Sequence, residues 1–167
     1  TLSKLLKINK KSFIKSMNSF HGLPHRYEIF LKRNNLTFIN DSKATSFEAA
    51  KFALKSKKNI FWILGGLPKQ KDKITFKEFK NNILKSYIIG KSVNFFRKQL
   101  QGEINFTISK FLKIAVANAI KDAKLLNNQN NVVLLSPAAA SFDQFQNFEK
   151  RGDEFKRLCK LYVNKYY

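Results

Sequence analysis

At 167 residues the chain has room for one compact unit and a short appendage, which rules out a multi-domain enzyme on this stretch alone. Its 32 Lys and Arg against 11 Asp and Glu leave a net charge of +21, yet Leu, Ile, Val and Phe number 54, about 32 % of the chain, enough to fold. The longest unbroken apolar run, Ile60 to Leu64, excludes a helix spanning a membrane, which needs ~20 such residues; the start TLSKLLKINKKSF lacks the features of a secretory signal, and with no initiating Met the expectation is a piece of a longer protein.

In chain order, residues 10 to 19 have helical periodicity, ended by GLPH at 22 to 25. Tyr27 to Leu31 and Thr37 to Ile39 read as strands joined by a turn at Arg33 to Asn35. Ser46 can cap a helix that carries Phe47, Ala50 and Leu54 on one face, and Asn59 to Leu64 reads as a buried strand. A helix near 75 to 83, a strand at 86 to 89, a helix near 91 to 99 and a short strand at 103 to 106 follow. Ser109 is expected to open the clearest helix, with Leu112, Ala115, Val116, Ala119, Ile120 and Ala123 on one face. After NNQNN comes the strand Val132 to Leu135; SPAAAS then turns into a helical C-terminus striped with Phe155, Leu158, Cys159 and Tyr162. This alternation predicts an α/β fold built on a mostly parallel sheet with helices on both faces.

The charge raises the possibility of a non-enzymatic basic module that binds nucleic acid or an anionic surface. Against it, 27 of the basic residues are Lys and 5 are Arg, spread along the whole chain. Lys, Asn, Ile, Phe and Tyr together make 80 of the 167 residues, all types with A- and T-rich codons, so the lysines read as the imprint of a low-GC bacterial genome. The single cysteine, Cys159, allows no internal disulfide and fits a reducing cytoplasm; on an apolar stripe it reads as core. His21 and His25 have ligand spacing, but Gly22 and Pro24 oppose a helix between them and no acidic or cysteine cluster completes a metal site. Neither a catalytic triad nor a carboxylate pair can be assembled, so the chain offers binding groups and no catalytic residue of its own.

In open parallel sheets ligands bind beyond the carboxyl ends of the strands. Three loops there have polar chemistry: NDSKATS at 40 to 46, LGGLPKQKDK at 64 to 73, and SPAAASFDQF at 136 to 145. The first holds an acid, a lysine and three hydroxyls. The second has two glycines permitting close backbone approach, then Lys69, Lys71 and Lys73. The third sets Ser141 before a helix, where Ser141 or Asp143 can also serve simply as a cap. Lysines, hydroxyls and helix amides together predict an anion pocket, while the GxxxxGK[ST] spacing of a phosphate-binding loop is absent.

GLPHRYE at 22 to 28, NDSKATS, LGG followed by Lys69, and LSPAAASFDQFQNFEKRGDEF at 135 to 155 resemble the C-terminal part of the D-glutamate-adding branch of the Mur ligase family of peptidoglycan synthesis. The resemblance implies a Rossmann-like domain over residues 22 to 167, preceded at 1 to 21 by the last helix of a central ATPase domain. It implies an ATP- and Mg²⁺-dependent ligase that activates the carboxylate of UDP-N-acetylmuramoyl-L-alanine as an acyl phosphate and lets the amine of D-glutamate attack it. By matching motifs, Lys43, Thr45, Lys69, Ser141, Phe142 and Phe148 would hold D-glutamate, and Arg26 and Asp41 would reach ATP. Lys71 is the alternative to Lys69. Such a domain alone is expected to be inactive.

Overall fold

A computed structural model describes residues 2–20, 22–126 and 130–166. Two helices, α1 (Leu2–Leu5) and α2 (Lys10–Ser19), come first. Strands β1 (Glu28–Arg33) and β2 (Leu36–Asn40) form an antiparallel hairpin over a two-residue turn, where Asn34 takes a φ of +50°, a conformation Asn tolerates. Then follow α3 (Phe47–Ser56), β3 (Ile60–Gly65), β4 (Ile83–Ile89), α4 (Val93–Leu100), β5 (Phe106–Lys110), α5 (Leu112–Leu125), β6 (Asn131–Leu135) and α6 (Phe148–Tyr166). They make one six-stranded sheet in the order β1-β2-β6-β3-β4-β5, parallel except for β1. The α/β, Rossmann-like reading holds.

The two central strands, β3 and β6, are buried along their whole length, and each sends alternate side chains to opposite faces. Trp62 and Leu64 meet Phe47, Ala50 and Leu54 of α3 and Phe96 and Leu100 of α4 on one face. Phe61, Ile63, Val133 and Leu135 meet Val116, Ala119 and Ile120 of α5 and Phe155, Leu158 and Cys159 of α6 on the other. Cys159 is thus core, and burial pushes its thiol well above the usual range. The indole N–H of Trp62 finds a buried acceptor in the Ser136 carbonyl at 2.8 Å.

Three local expectations need correction. No helix occupies 75 to 83: Phe76 and Phe79 have helical spacing and are buried, but only a 3-10 turn at Lys80–Asn82 forms, closed by the Asn82 backbone amide on the Phe79 carbonyl, with the Asn82 side-chain amide donating to the Leu54 carbonyl in α3 at 3.0 Å. Ser109 lies inside β5, which runs later than 103 to 106; the break comes at Lys110, with φ +61°, and α5 starts at Leu112. Ser141 and Asp143 cap no helix, since α6 begins at Phe148 and Asn147 accepts there from the Lys150 amide at 2.8 Å.

No residue of α2 is buried, and its Phe13, Ile14 and Met17 are at least 42 % exposed. His21 lies outside the described residues. His25 is buried, with Nδ1 2.9 Å from the side-chain nitrogen of Asn40. Among the described residues no three His, Cys, Asp or Glu side chains gather as metal ligands, and no helix is long and apolar enough to cross a membrane.

Candidate ligand site at the carboxyl ends of three strands

Strands β2, β6 and β3 are neighbours, so the loops that leave their carboxyl ends, 41–46, 136–147 and 66–73, emerge side by side. Each pair of loops is cross-linked. Arg151, fully buried on the first turn of α6, donates through Nε to the Ser42 hydroxyl at 3.1 Å and through Nη2 to the carbonyls of Ser42 at 2.8 Å and Ala139 at 3.0 Å, joining first loop to third. Leu67 and Ala140 exchange backbone hydrogen bonds of 2.9 Å in both directions, joining second to third. The Asp72 carboxylate accepts from the Phe47 amide at 2.9 Å, joining second to first at the positive end of α3.

The two glycines of the second loop serve this closure. A Cβ on Gly65 would run into the Ile89 carbonyl, and one on Gly66 into that of Ala140; both have φ of +128°. The neighbouring amides are also spent, since Gly65 donates to Pro137 and Leu67 to Ala140. At Gly65 and Leu67, then, backbone approaches backbone.

On this frame the Lys43 ammonium stands 3.8 Å above the centre of the Phe148 ring, and the Lys43 amide donates to the His25 carbonyl at 3.0 Å. Thr45 is half-buried on the same loop. Ser141 is buried, its carbonyl accepting from Gln144 and Phe145, while Phe142 beside it is 70 % exposed. Lys69 is exposed at the tip of the second loop. No hydrogen bond or ion pair among the described residues ties Lys43, Thr45, Lys69 or Ser141 to another member of that set.

A groove of about 290 Å³ adjoins this surface, lined by Arg26, Tyr27, Asp41, Lys43, Ala44 and Phe52 among others. Arg26 is exposed. Asp41 is buried, with one oxygen accepting from the Tyr27 amide at 3.1 Å and the other from the Ser136 hydroxyl at 2.7 Å. Burial raises its carboxyl to about 6, against the hydrogen bonds from Ser136 and Tyr27 and the charge of Arg26. Lys43 borders both the groove and the Phe148 face, so the two halves of the site share one cation.

Arg151, Ser42 and Asp72 escape a reading by residue type. Arg151 did leave a mark: it sits in register with the apolar stripe of Phe155, Leu158, Cys159 and Tyr162, where a charge must have buried partners. Asp72, one acid among Lys69, Lys71 and Lys73, gives no comparable signal.

No protein-family profile matches the chain. Individual proteins do. The UDP-N-acetylmuramoylalanine--D-glutamate ligase of Nitrobacter winogradskyi is 42 % identical over 155 residues, 93 % of this chain and 33 % of its own length. That of Brucella abortus is 48 % identical over 141 residues, 84 % of the chain and 30 % of its length. That of Rickettsia conorii is 36 % identical over 160 residues, 96 % of the chain and 32 % of its length. The chain spans about a third of the length of these curated relatives. These three relatives carry one and the same ligase name, which lends no support to the reading as a basic module for nucleic acid or an anionic surface.

Proposed function

Since the chain belongs to the family of the UDP-N-acetylmuramoylalanine--D-glutamate ligases, we propose that it is the C-terminal part of such an enzyme and presents D-glutamate to the activated substrate in peptidoglycan synthesis. The cross-linked loops support this reading: their bonds hold the segments that carry Lys43, Thr45, Lys69 and Ser141 beside one another, with no bond among those four side chains.

D-Glutamate has two carboxylates and one amine that must attack. Lys43 and Lys69 supply cations, Thr45 and Ser141 supply hydroxyl donors, and Phe142 and Phe148 wall the aliphatic stem. Charge-assisted bonds to both carboxylates fix the amino acid and leave its amine free, so orientation is what this chain contributes to the rate. Arg26, exposed beside the groove, suits the phosphates of ATP. Asp41, each of whose oxygens keeps lone pairs beyond its internal bonds, suits a ribose hydroxyl. ATP supplies the phosphoryl group that activates the substrate carboxylate. The described residues do not suit Mg²⁺, for no carboxylate cluster faces the groove; metal, catalytic phosphate loop and UDP-N-acetylmuramoyl-L-alanine belong to the remaining two-thirds of the ligase. Residues 1–21 are read as the end of the preceding unit, with 22–167 as the amino-acid-binding domain; the unburied apolar side chains of α2 support that division.

Steady-state kinetics of the ligase containing this chain, each substrate varied in turn, tests the reading. A hydrogen bond to a charged carboxylate contributes about 1.5–3 kcal/mol, so Ser141→Ala should raise the apparent KM for D-glutamate roughly 10- to 150-fold. Arg26→Ala should weaken ATP use more than D-glutamate use. If Ser141→Ala and Lys69→Ala both leave D-glutamate untouched, the pocket is elsewhere. The 167-residue chain by itself should neither hydrolyse ATP nor form the amide.

A further inference from the structure

His25 belongs to neither half of the site described above, yet it is 6 % exposed in a segment whose neighbours Pro24 and Arg26 face solvent. Its φ is +62°, in the left-handed region that few residues other than glycine enter. The backbone is bonded on both sides: the His25 amide donates to a Glu28 carboxylate oxygen at 3.0 Å, and its carbonyl accepts from the Lys43 amide at 3.0 Å.

The imidazole is equally constrained. Asn40, fully buried, accepts through Oδ1 from the Ser42 amide at 3.2 Å, which leaves its NH₂ as the group 2.9 Å from His25 Nδ1. In this arrangement Nδ1 accepts from Asn40, and Nε2 faces the Asp153 carboxylate at 3.8 Å. The same Asn40 NH₂ reaches Glu28 at 3.2 Å, and Glu28 and Asp153 share Lys156. On the helix side a Cβ on Gly152 would collide with Nδ1, which accounts for a glycine inside α6, where it otherwise costs about 1 kcal/mol. The imidazole and the Phe148 ring pack at 80° with 6.0 Å between centroids, and the Lys43 ammonium lies over the Phe148 ring.

We propose that His25 is a positioning residue: its imidazole, fixed at Nδ1 by Asn40, packs against Phe148, and through Phe148 and its own carbonyl it seats Lys43, whose ammonium lies over that ring. The proposal rests on the D-glutamate reading for its consequence in turnover but not for the geometry it asserts.

His25→Asn is the informative variant, because Asn tolerates the left-handed backbone and keeps an acceptor for Asn40 while removing the ring. Gly152→Ala is the second, displacing the imidazole from the helix side with every substrate-facing side chain intact. In ¹H–¹³C NMR of the 167-residue chain, the Lys43 ε-methylene signal should lie upfield through the Phe148 ring current, with Phe148→Leu marking the released position. Both variants should move that signal toward the released position with the dispersion of the remaining spectrum retained. A Lys43 signal unchanged in both overturns the inference. In the ligase containing the chain, His25→Asn should raise the KM for D-glutamate on the order of tenfold, the cost of one weakened charged contact, with kcat within about twofold. A displaced Lys43 signal with an unchanged KM for D-glutamate would uphold the positioning and overturn the D-glutamate reading.

Discussion

Arg151 Nε lies 3.1 Å from the Ser42 hydroxyl, which in turn donates a hydrogen bond to the Phe148 carbonyl at 2.7 Å. The first loop is thus bonded to both the first and the fourth residue of α6. Burial lowers the guanidinium to about 10, still far above neutrality, so it works as a cation. Arg151→Lys keeps the charge but loses the fork that reaches Ser42 and Ala139 together. The expected cost is about 1.5–3 kcal/mol of stability, one charged hydrogen bond, together with a raised KM for D-glutamate. Urea unfolding of the chain measures the first; a change under ~0.5 kcal/mol would show that the fork contributes nothing to the frame.

Asp41 makes stability depend on pH in the sense opposite to most carboxylates. Its carboxyl is held at about 6 in the fold against an ordinary 3.8, so between those values the folded chain binds a proton that the unfolded chain has released. The contribution of this group therefore falls as pH rises from about 4 to about 6, by roughly 3 kcal/mol over the window. Asp41→Asn can still accept from Tyr27 and can donate to Ser136, with no charge to desolvate. The stability difference, variant minus native, should grow in favour of the variant across that window and level off above it; carboxylates common to both cancel. A flat difference from pH 4 to 7 in urea titrations would refute this.

Gly66 is the weak point of the bridge between second and third loops. Gly66→Ala adds a Cβ against the Ala140 carbonyl at a φ of +128°. Strain of this kind costs on the order of 1–3 kcal/mol, and relieving it requires breaking the Leu67–Ala140 pair. Reduced thermal stability should accompany faster exchange of the Leu67 and Ala140 amides. Protection of those amides at the native level would mean the loops have another way to yield.

Lys69 and Lys71 separate a ligand contact from a surface charge. Both are exposed, and Lys71 has a φ of +60° within the turn closed by the Asp72 amide on the Lys69 carbonyl. Lys69→Gln should raise the KM for D-glutamate about 10- to 150-fold while Lys71→Gln stays within about twofold. The reverse pattern would shift the substrate contact by two residues.

Where signals are local, sequence and structure agree closely. Ser46 does cap α3, accepting from the Ala49 amide, and the Asn34–Asn35 turn does pair β1 with β2. The helix expected near 75 to 83 does not form: Phe76 and Phe79 imitate a helical face, while the Asn82 side chain answers to Leu54, 28 residues away. The site divides in the same way. Polar residues gathered at strand ends mark the first and third loops, but the bonds that tie the three loops together include Arg151 to Ser42 across 109 positions and Asp72 to Phe47 across 25. Periodicity and capping rules have no view of such distances.

The strand order also governs when the molecule can form during synthesis. β2 and β3 are not hydrogen-bonded to each other; each pairs with β6, the last strand made. Until residues 131–135 leave the ribosome, Phe38, Ile39, Trp62 and Ile63, all without solvent exposure in the finished fold, belong to strands whose shared neighbour does not yet exist. Non-local pairing of this kind is slow and leaves sticky edges in the interim. A nascent chain with +21 of like charge resists association during that wait, and this gives the lysines a use that has nothing to do with any ligand.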